Sequence, residues 1–408
     1  MFGDIGATIL ELWFRFYKIR GQDRGLNLVH VVESLDVGGL ERVVLSLARW
    51  QLAQGHQVII VCLFHEGALA AEARAEGIRI EVARKSTGLD LPAVTRLRRL
   101  FGKARIDVLH THNAVAHYYA ALAALGLPVG RIVNTRHGMG PSGRSGRVRL
   151  LYRLALAGTA SVVAVCRAAR DEFARTSTAP ASKLEVIPNG IPIEHIEART
   201  DAARHALLAE LGRAPDTFVL ATVGRLSPVK DHLTLLGALK NLRQSGRPVD
   251  LVIVGDGETR AAIERTVQDL QLGDCVHLLG MRPDVPRLLA AMDAFVLTSL
   301  SEGYSLALVE ASAAALPVVA TRVGGNAEII ADETTGLLVQ AGDAPAIAAA
   351  LARLVDDPSL RGRLGAAGRD WALRHASIEA MGQAYGRLYQ APPASSGRAG
   401  SAPARSEP

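Results

Sequence analysis

Two apolar patterns alternate along this chain. Short, nearly unbroken apolar runs such as Val58-Ile59-Ile60-Val61-Cys62 and Ala294-Phe295-Val296-Leu297 are separated by longer stretches with helical spacing. The first kind suits strands buried on both faces, and the second suits helices covering them. The spacing predicts strands at Leu26–Val32, Gln57–Leu63, Ile78–Val82, Ile106–His110, Arg131–Thr135, Ser161–Val165 and Leu184–Ile187. Leu40–Gln54 reads as an amphipathic helix after the first of them. Ile187-Pro188-Asn189-Gly190-Ile191-Pro192 interrupts the alternation with a turn or linker. It resumes with strands at Thr217–Val223, Val249–Val254, Cys275–Leu279, Ala294–Leu297, Pro317–Ala320 and Gly336–Val339, and a last amphipathic helix spans Ile378–Gln390. Repeated strand-helix-strand alternation on both sides of a break implies an α/β protein with two Rossmann-like doubly wound parallel sheets.

The expected organisation is an amphipathic extension over 1–25, a first domain over 26–188 joined by a returning helix at 376–390, a second domain over 189–375, and a disordered tail over 391–408. A length of 408 residues fits two cores better than one. The three cysteines, Cys62, Cys166 and Cys275, stand far apart with no metal or redox spacing, as in a reduced cytosolic protein.

Charge is uneven. Residues 1–190 hold 25 Lys and Arg against 15 Asp and Glu, whereas the rest holds 21 against 25. No acidic residue occurs between Val108 and Arg170. A basic face of this kind favours phosphates, nucleic acid or an anionic membrane. Scattered arginines and a 4% aromatic content argue against base stacking on single strands. No apolar run is long enough to span a bilayer, but Ile5–Arg20 mixes Trp13, Phe14, Phe16 and Tyr17 with Arg15, Lys18 and Arg20 and could lie flat on one. Arg96, Arg98, Arg99, Lys103 and Arg105 accompany Leu97, Leu100 and Phe101; Arg144, Arg147, Arg149 and Arg153 accompany Val148, Leu150, Leu151 and Leu154. Both groups suit adsorption to anionic lipid, unless their apolar members pack inward.

The chemistry-bearing residues fall at strand ends. Gly38 and Gly39 follow the first strand and expose backbone N–H groups at a helix N-terminus, a place for a diphosphate. The pattern is not GxGxxG, so a nicotinamide cofactor is not indicated. Gly224-Arg225-Leu226 with Lys230 holds the matching place in the second half, where a guanidinium fork and an ammonium can clamp phosphate oxygens. Two further glycine turns, Gly255-Asp256-Gly257 and Gly324-Gly325, suggest that one edge lines a nucleotide. Glu302 follows the apolar run ending at Leu297, and Glu310 lies eight positions on, in a helix opened by Ser305. Carboxylates there can accept hydrogen bonds from sugar and ribose hydroxyls, although the spacing alone also occurs on solvated helices. His110, His112 and His137 can donate to a sugar hydroxyl or shuttle a proton. Of the first two, one is expected to pack and the other to face the site. No carboxylate or cysteine accompanies them in a metal-binding pattern, and no Asp-x-Asp triplet occurs anywhere.

Taken in order, Gly38-Gly39, His137-Gly138, Pro188-Asn189-Gly190, Gly224-Arg225-Leu226 with Lys230, Gly255-Asp256-Gly257 and Glu302…Glu310 resemble the family-4 retaining glycosyltransferases of the GT-B fold, the bacterial polysaccharide and glycolipid type. The resemblance covers about residues 26–390. It implies two domains facing a cleft and transfer from a UDP- or GDP-sugar to a lipid-linked or growing saccharide, with no metal or other cofactor. Arg225 and Lys230, helped by Gly38 and Gly39, would hold the donor diphosphate. Glu310 would bond the ribose; Glu302, Gly303, Tyr304 and Ser305 would hold the sugar. His137 would contact the transferred sugar beside the reacting centre, and His112 and Asn113 are candidates for the acceptor side. The implied setting is the cytoplasm, peripheral on the inner face of the membrane, with an anionic membrane surface and no nucleic acid as partner. A nucleotide-sugar epimerase or sugar phosphorylase would share the two-domain plan, and a basic membrane or nucleic-acid adaptor is the non-enzymatic alternative.

Overall fold

A computed structural model of the protein describes residues 25–139 and 146–391. The amphipathic segment Ile5–Arg20, Arg144 and the tail beyond Ala391 lie outside these residues.

Seven parallel strands form the first sheet: β1 (Asn27–Val32), β2 (Gln57–Cys62), β3 (Arg79–Val82), β4 (Ile106–His112), β5 (Val129–Arg136), β6 (Ser161–Ala164) and β7 (Leu184–Val186). Their order is β3-β2-β1-β4-β5-β6-β7. Six form the second: β8 (Phe218–Val223), β9 (Val249–Val254), β10 (Val276–Gly280), β11 (Ala294–Leu297), β12 (Val318–Thr321) and β13 (Leu337–Val339), in the order β10-β9-β8-β11-β12-β13. Every expected strand is present, with ends moved by one or two residues. The runs were legible because these strands are covered on both faces; every residue of β9 and of β11 is buried.

Each sheet winds outward in two directions from a pair of neighbours, β1 with β4 and β8 with β11. In such sheets ligands bind beyond the carboxyl ends of the strands where the winding reverses. Each of these four strands is followed at that end by a residue singled out above: Gly38 after β1, Asn113 after β4, Arg225 after β8 and Glu302 after β11.

The chain crosses between the two sheets twice. After β7, Ile191 pairs in parallel with Ser377, and backbone bonds of 3.0 and 2.9 Å join Ile191 to Ala376 and Ile378. The helix Ile378–Gln390 then returns to the first sheet. Its buried face, Ile378, Met381, Tyr385 and Tyr389, joins one apolar cluster with Val43, Val44 and Leu47 of the helix Gly39–Ala53. The two helices approach closely because Gly382 lies against the Trp50 indole, where a Cβ would come within 2.6 Å of three ring atoms.

The basic helices differ from one another. On Leu91–Lys103, Leu97 and Phe101 are buried, and the Arg96 and Arg98 guanidiniums bond backbone carbonyls of Ala83 and Leu125. Helical periodicity turns those two apolar residues inward, so they are not available to a lipid surface. On Gly146–Ala155, Leu150 and Leu154 are 58% and 64% exposed, and Arg147, Arg149 and Arg153 are exposed beside them. Among the described residues no helix is long and apolar enough to cross a membrane.

Gly382→Ala is expected to destabilise the protein by about 1–3 kcal/mol, the usual range for overpacking a filled interior. Chemical denaturation would measure it; an unchanged midpoint would mean that Trp50 has room to withdraw.

Candidate active site

Two backbone loops build the second sheet's side of the site, and each is locked by a neighbouring glycine turn. The loop after β8 carries Arg225. It is held by the turn after β9: Leu226 donates its N–H to Asp256 O at 3.0 Å, and Thr259 donates to Leu226 O at 3.1 Å. Gly255 has φ +136°, and a Cβ on it would overlap the Gly224 carbonyl. The loop after β11 carries Glu302 and is held by the turn after β12. There Gly324, at φ +47°, lies directly against Glu302 O, and Gly325 donates its N–H to Gly303 O at 3.1 Å. The glycine turns that suggested a nucleotide edge therefore work as backbone braces for the two loops that carry charge.

Lys230 and Glu302 meet. The ammonium lies 2.6 Å from Oε1, which also accepts from Ser299 Oγ at 2.6 Å. Thr298 fixes the Lys230 segment by donating Oγ1–H to Lys230 O and Asp231 O at 3.1 and 3.0 Å. Arg225 is exposed, with neither hydrogen-bond nor ion-pair partner among the described residues. Its charge still reaches Glu41 in the first half of the chain. Glu310 lies in the helix Leu306–Ala313, where burial pushes its carboxyl up to about 7 against the opposing pull of Arg42. Tyr304 and Ser305 are buried, and Ser305 begins that helix without a side-chain cap.

The first sheet supplies the opposite wall. Gly38 stands in extended conformation at the N-cap of Gly39–Ala53. Glu41 folds its carboxylate back over it, where the positive end of the helix favours an anion. Leu306 packs on Gly39, and a Cβ at Gly303 would lie 2.5 Å from His137 O. Glu328, after β12, accepts from the N–H groups of Arg167 and Ala168 at 2.9 Å each, so the second half caps a helix of the first. The residues read from sequence as diphosphate, ribose and sugar contacts thus gather along one seam.

Asn113 adopts φ +62° at the end of β4, and its Oδ1 accepts from His137 N–H at 3.3 Å. His110 and His112 do not divide into one packed and one facing residue. They are two apart on a strand and so share a face; their rings are 4.3 Å apart and both are buried. His30, opposite His110 in the β1–β4 register, joins them. His112 Nδ1 is 3.0 Å from His137 Nε2, and His30 Nδ1 is 3.1 Å from His112 Nε2. Burial holds these rings neutral at physiological pH, His30 near 4 and His137 near 3. Sequence reasoning missed His30, Glu41, Arg42, Gln51 and Glu328. Glu41 had a local signal, an acid in the first turn after a glycine pair. The others depend on pairings distant in sequence.

Two doubly wound sheets with cations, carboxylates and a helix N-terminus along the facing strand ends define the architecture of a GT-B glycosyltransferase. Residues 37–195 match the family described as Glycosyltransferase Family 4, and residues 204–371 match Glycosyl transferases group 1. The chain is 30% identical over 344 residues to a GDP-mannose-dependent alpha-(1-6)-phosphatidylinositol monomannoside mannosyltransferase of Mycolicibacterium smegmatis, covering 79% of this chain and 87% of that one. It is 29% identical over 350 residues to the UDP-Gal:alpha-D-GlcNAc-diphosphoundecaprenol alpha-1,3-galactosyltransferase of Escherichia coli, covering 82% and 89%. The crystal structure of Anabaena HepE in complex with UDP and glucose superimposes with a TM-score of 0.80 at 22% identity, over 89% of this chain and 99% of that one. The protein belongs to glycosyltransferase family 4.

Glu310 yields a prediction with two opposite signs. Its folded carboxyl titrates above its ordinary value, so ionising it opposes folding; that penalty grows as pH rises from the ordinary range through about 7. Glu310→Gln should therefore stabilise the protein at pH ~8 by on the order of 2 kcal/mol. The same change removes an ionised acceptor. Nucleotide-sugar affinity in the parent should fall by up to about tenfold from pH ~8 to ~6, and this dependence should vanish in the variant. Calorimetry at both pH values checks the pair; pH-independent binding by the parent would contradict it.

Proposed function

We propose that this enzyme transfers a sugar from a UDP- or GDP-sugar to a lipid-linked or growing saccharide in cell-surface polysaccharide or glycolipid synthesis, with retention of anomeric configuration. The observation that carries this reading is the exposed, unpartnered Arg225 guanidinium on the same edge as the Lys230–Glu302 pair. The M. smegmatis and E. coli relatives, named for GDP-mannose and UDP-Gal as donors and for lipid-borne acceptors, support it.

Arg225 and Lys230 hold the diphosphate, and the N-terminus of Gly39–Ala53 faces it across the seam. Glu310 accepts from the ribose hydroxyls. Glu302, with the Gly303, Tyr304 and Ser305 segment, holds the sugar. His137 contacts that sugar from the first sheet, and His112 and Asn113 support the acceptor side. Residues 26–188 serve as the acceptor-side domain and 189–375 as the donor domain. The bond from the anomeric carbon to the phosphate oxygen breaks, leaving an oxocarbenium-like centre. The acceptor oxygen bonds to that carbon on the same face and gives its proton to the departing phosphate. The largest contribution of the protein is then electrostatic stabilisation of the diphosphate. Two cations at one edge, in a chain without an Asp-x-Asp triplet, support neutralisation without a metal.

Arg225→Ala and Lys230→Ala should each lower kcat/KM by about 30- to 1000-fold, the effect of losing ~2–4 kcal/mol of transition-state stabilisation. The double variant should lose less than the sum, because both cations hold one group. Release of UDP or GDP across a panel of donors, with membrane extract as acceptor, measures this; normal turnover in either single variant refutes the clamp. Turnover should also persist in EDTA, and a strict requirement for Mn²⁺ or Mg²⁺ would show that a metal carries the diphosphate.

A lipid-linked acceptor makes adsorption to the inner face of the cytoplasmic membrane useful. Leu150 and Leu154 with Arg147, Arg149 and Arg153, and Leu122 and Leu125 on the neighbouring surface, form the described patch suited to it. Each cation near an anionic surface adds about 1 kcal/mol. The protein should sediment with phosphatidylglycerol vesicles but not with neutral ones, and salt should weaken the binding. Equal sedimentation with both, or with neither, would exclude this surface while leaving the transferase reading intact.

A further inference from the structure

The histidines beside the seam form one continuous chain with a single anchored end. Gln51, on the helix Gly39–Ala53, is 1% exposed. Its Oε1 lies 2.8 Å from His30 Nε2, and its Nε2 donates to Tyr389 Oη at 3.4 Å. From His30 the chain continues through His112 to His137, with every link at 3.0 or 3.1 Å. All these rings are neutral, so each has one N–H and one bare nitrogen. The amide oxygen of Gln51 can only accept, so His30 carries its proton on Nε2. Its bare Nδ1 must then accept from His112 Nε2–H. The bare Nδ1 of His112 must accept from His137 Nε2–H. One nitrogen is left over: His137 Nδ1 is buried and has no hydrogen-bond partner among the described residues.

The second branch agrees with this polarity. Tyr389 accepts from Gln51 and donates to His110 Nδ1 at 2.7 Å; His110 Nε2–H then donates to Thr135 Oγ1 at 2.7 Å, which meets Tyr385 Oη at 2.8 Å. Every link has one donor and one acceptor. His30, His110 and His112 come close enough to suggest a metal site, but each of their ring nitrogens already has a hydrogen-bond partner.

We propose that Gln51, through His30 and His112, is a positioning residue that fixes the tautomer of His137, so that His137 presents a bare Nδ1 to the sugar and accepts from a substrate hydroxyl rather than donating to it. The bare nitrogen explains an otherwise unsatisfied buried atom: a buried acceptor without a partner is unfavourable, and a substrate hydroxyl relieves it. Tyr389 ties the amide to the returning helix, so the last helix of the chain helps orient a group just beyond the carboxyl end of β5. The inference rests on the sugar contact assigned to His137 above.

The test reads the tautomers directly, by long-range nitrogen–proton correlation spectra of the full-length protein labelled at histidine. His30, His112 and His137 are expected to carry protons on Nε2 and none on Nδ1. A proton on His137 Nδ1 overturns the proposal, and so does stoichiometric zinc bound by His30, His110 and His112. Gln51→Leu should leave His137 as a mixture of tautomers and lower kcat by about tenfold with donor KM nearly unchanged. Gln51→Glu, which keeps an accepting oxygen, should recover most of the loss. Unchanged tautomers and kcat in Gln51→Leu would refute the relay. Should that variant fail to fold, the parent spectrum decides by itself. Full activity in His137→Ala would instead remove the sugar contact, a failure distinguishable because the spectra do not depend on turnover.

Discussion

The ammonium of Lys230 and the carboxylate of Glu302, 2.6 Å apart and mostly withdrawn from water, set the terms for the rest of the site. A charge in such a place needs a counter-charge, because removing either partner leaves the other desolvated and unpaired. The two belong to different strand ends, β8 and β11, which are neighbours where the second sheet reverses its winding. The pair therefore joins the two loops for which we propose contacts with the diphosphate and with the sugar. Lys230 Nζ and Ser299 Oγ both engage Glu302 Oε1, so Oε2 is the oxygen that the proposed sugar contact would use.

That pair is useful only if its loops do not move, and the fold secures them by backbone contact. Gly255 lies on the Gly224 carbonyl, Gly324 on that of Glu302 and Gly303 on that of His137. Side chains at these places would separate segments that now touch. The third contact also joins the two halves of the chain, as does Glu328 over the N–H groups of Arg167 and Ala168. Positioning of the reacting groups rests on these short contacts, which is how a site built from loops reaches the precision that transfer chemistry requires.

How much of this was legible in the sequence follows from which interactions are local. Parallel strands buried on both faces read as unbroken apolar runs, so β9, β11 and their neighbours stood out. Gly38, Arg225, Lys230, Glu302 and Glu310 were legible because strand ends and helix starts are marked locally. His30 was not. A histidine inside Leu28-Val29-His30-Val31-Val32 looks like an interruption of a core strand, and its meaning appears only when β1 and β4 bring it opposite His110. Gln51 and Tyr389 are 338 residues apart in sequence and meet only because the last helix returns. The strand's period of two was applied wrongly to His110 and His112, which share a face. On Leu91–Lys103 the inward turn of Leu97 and Phe101 was visible as periodicity, but only burial tells which side is core.

The central claim is that one edge, where the second sheet reverses, receives a nucleotide diphosphate through two cations and its ribose through a carboxylate. A crystal structure of the protein with UDP or GDP bound tests it most directly. The account predicts the diphosphate against Arg225 and Lys230 and the ribose hydroxyls on Glu310. A nucleotide bound away from the ends of β8 and β11, or a diphosphate held through a metal ion with Arg225 and Lys230 uninvolved, would contradict it.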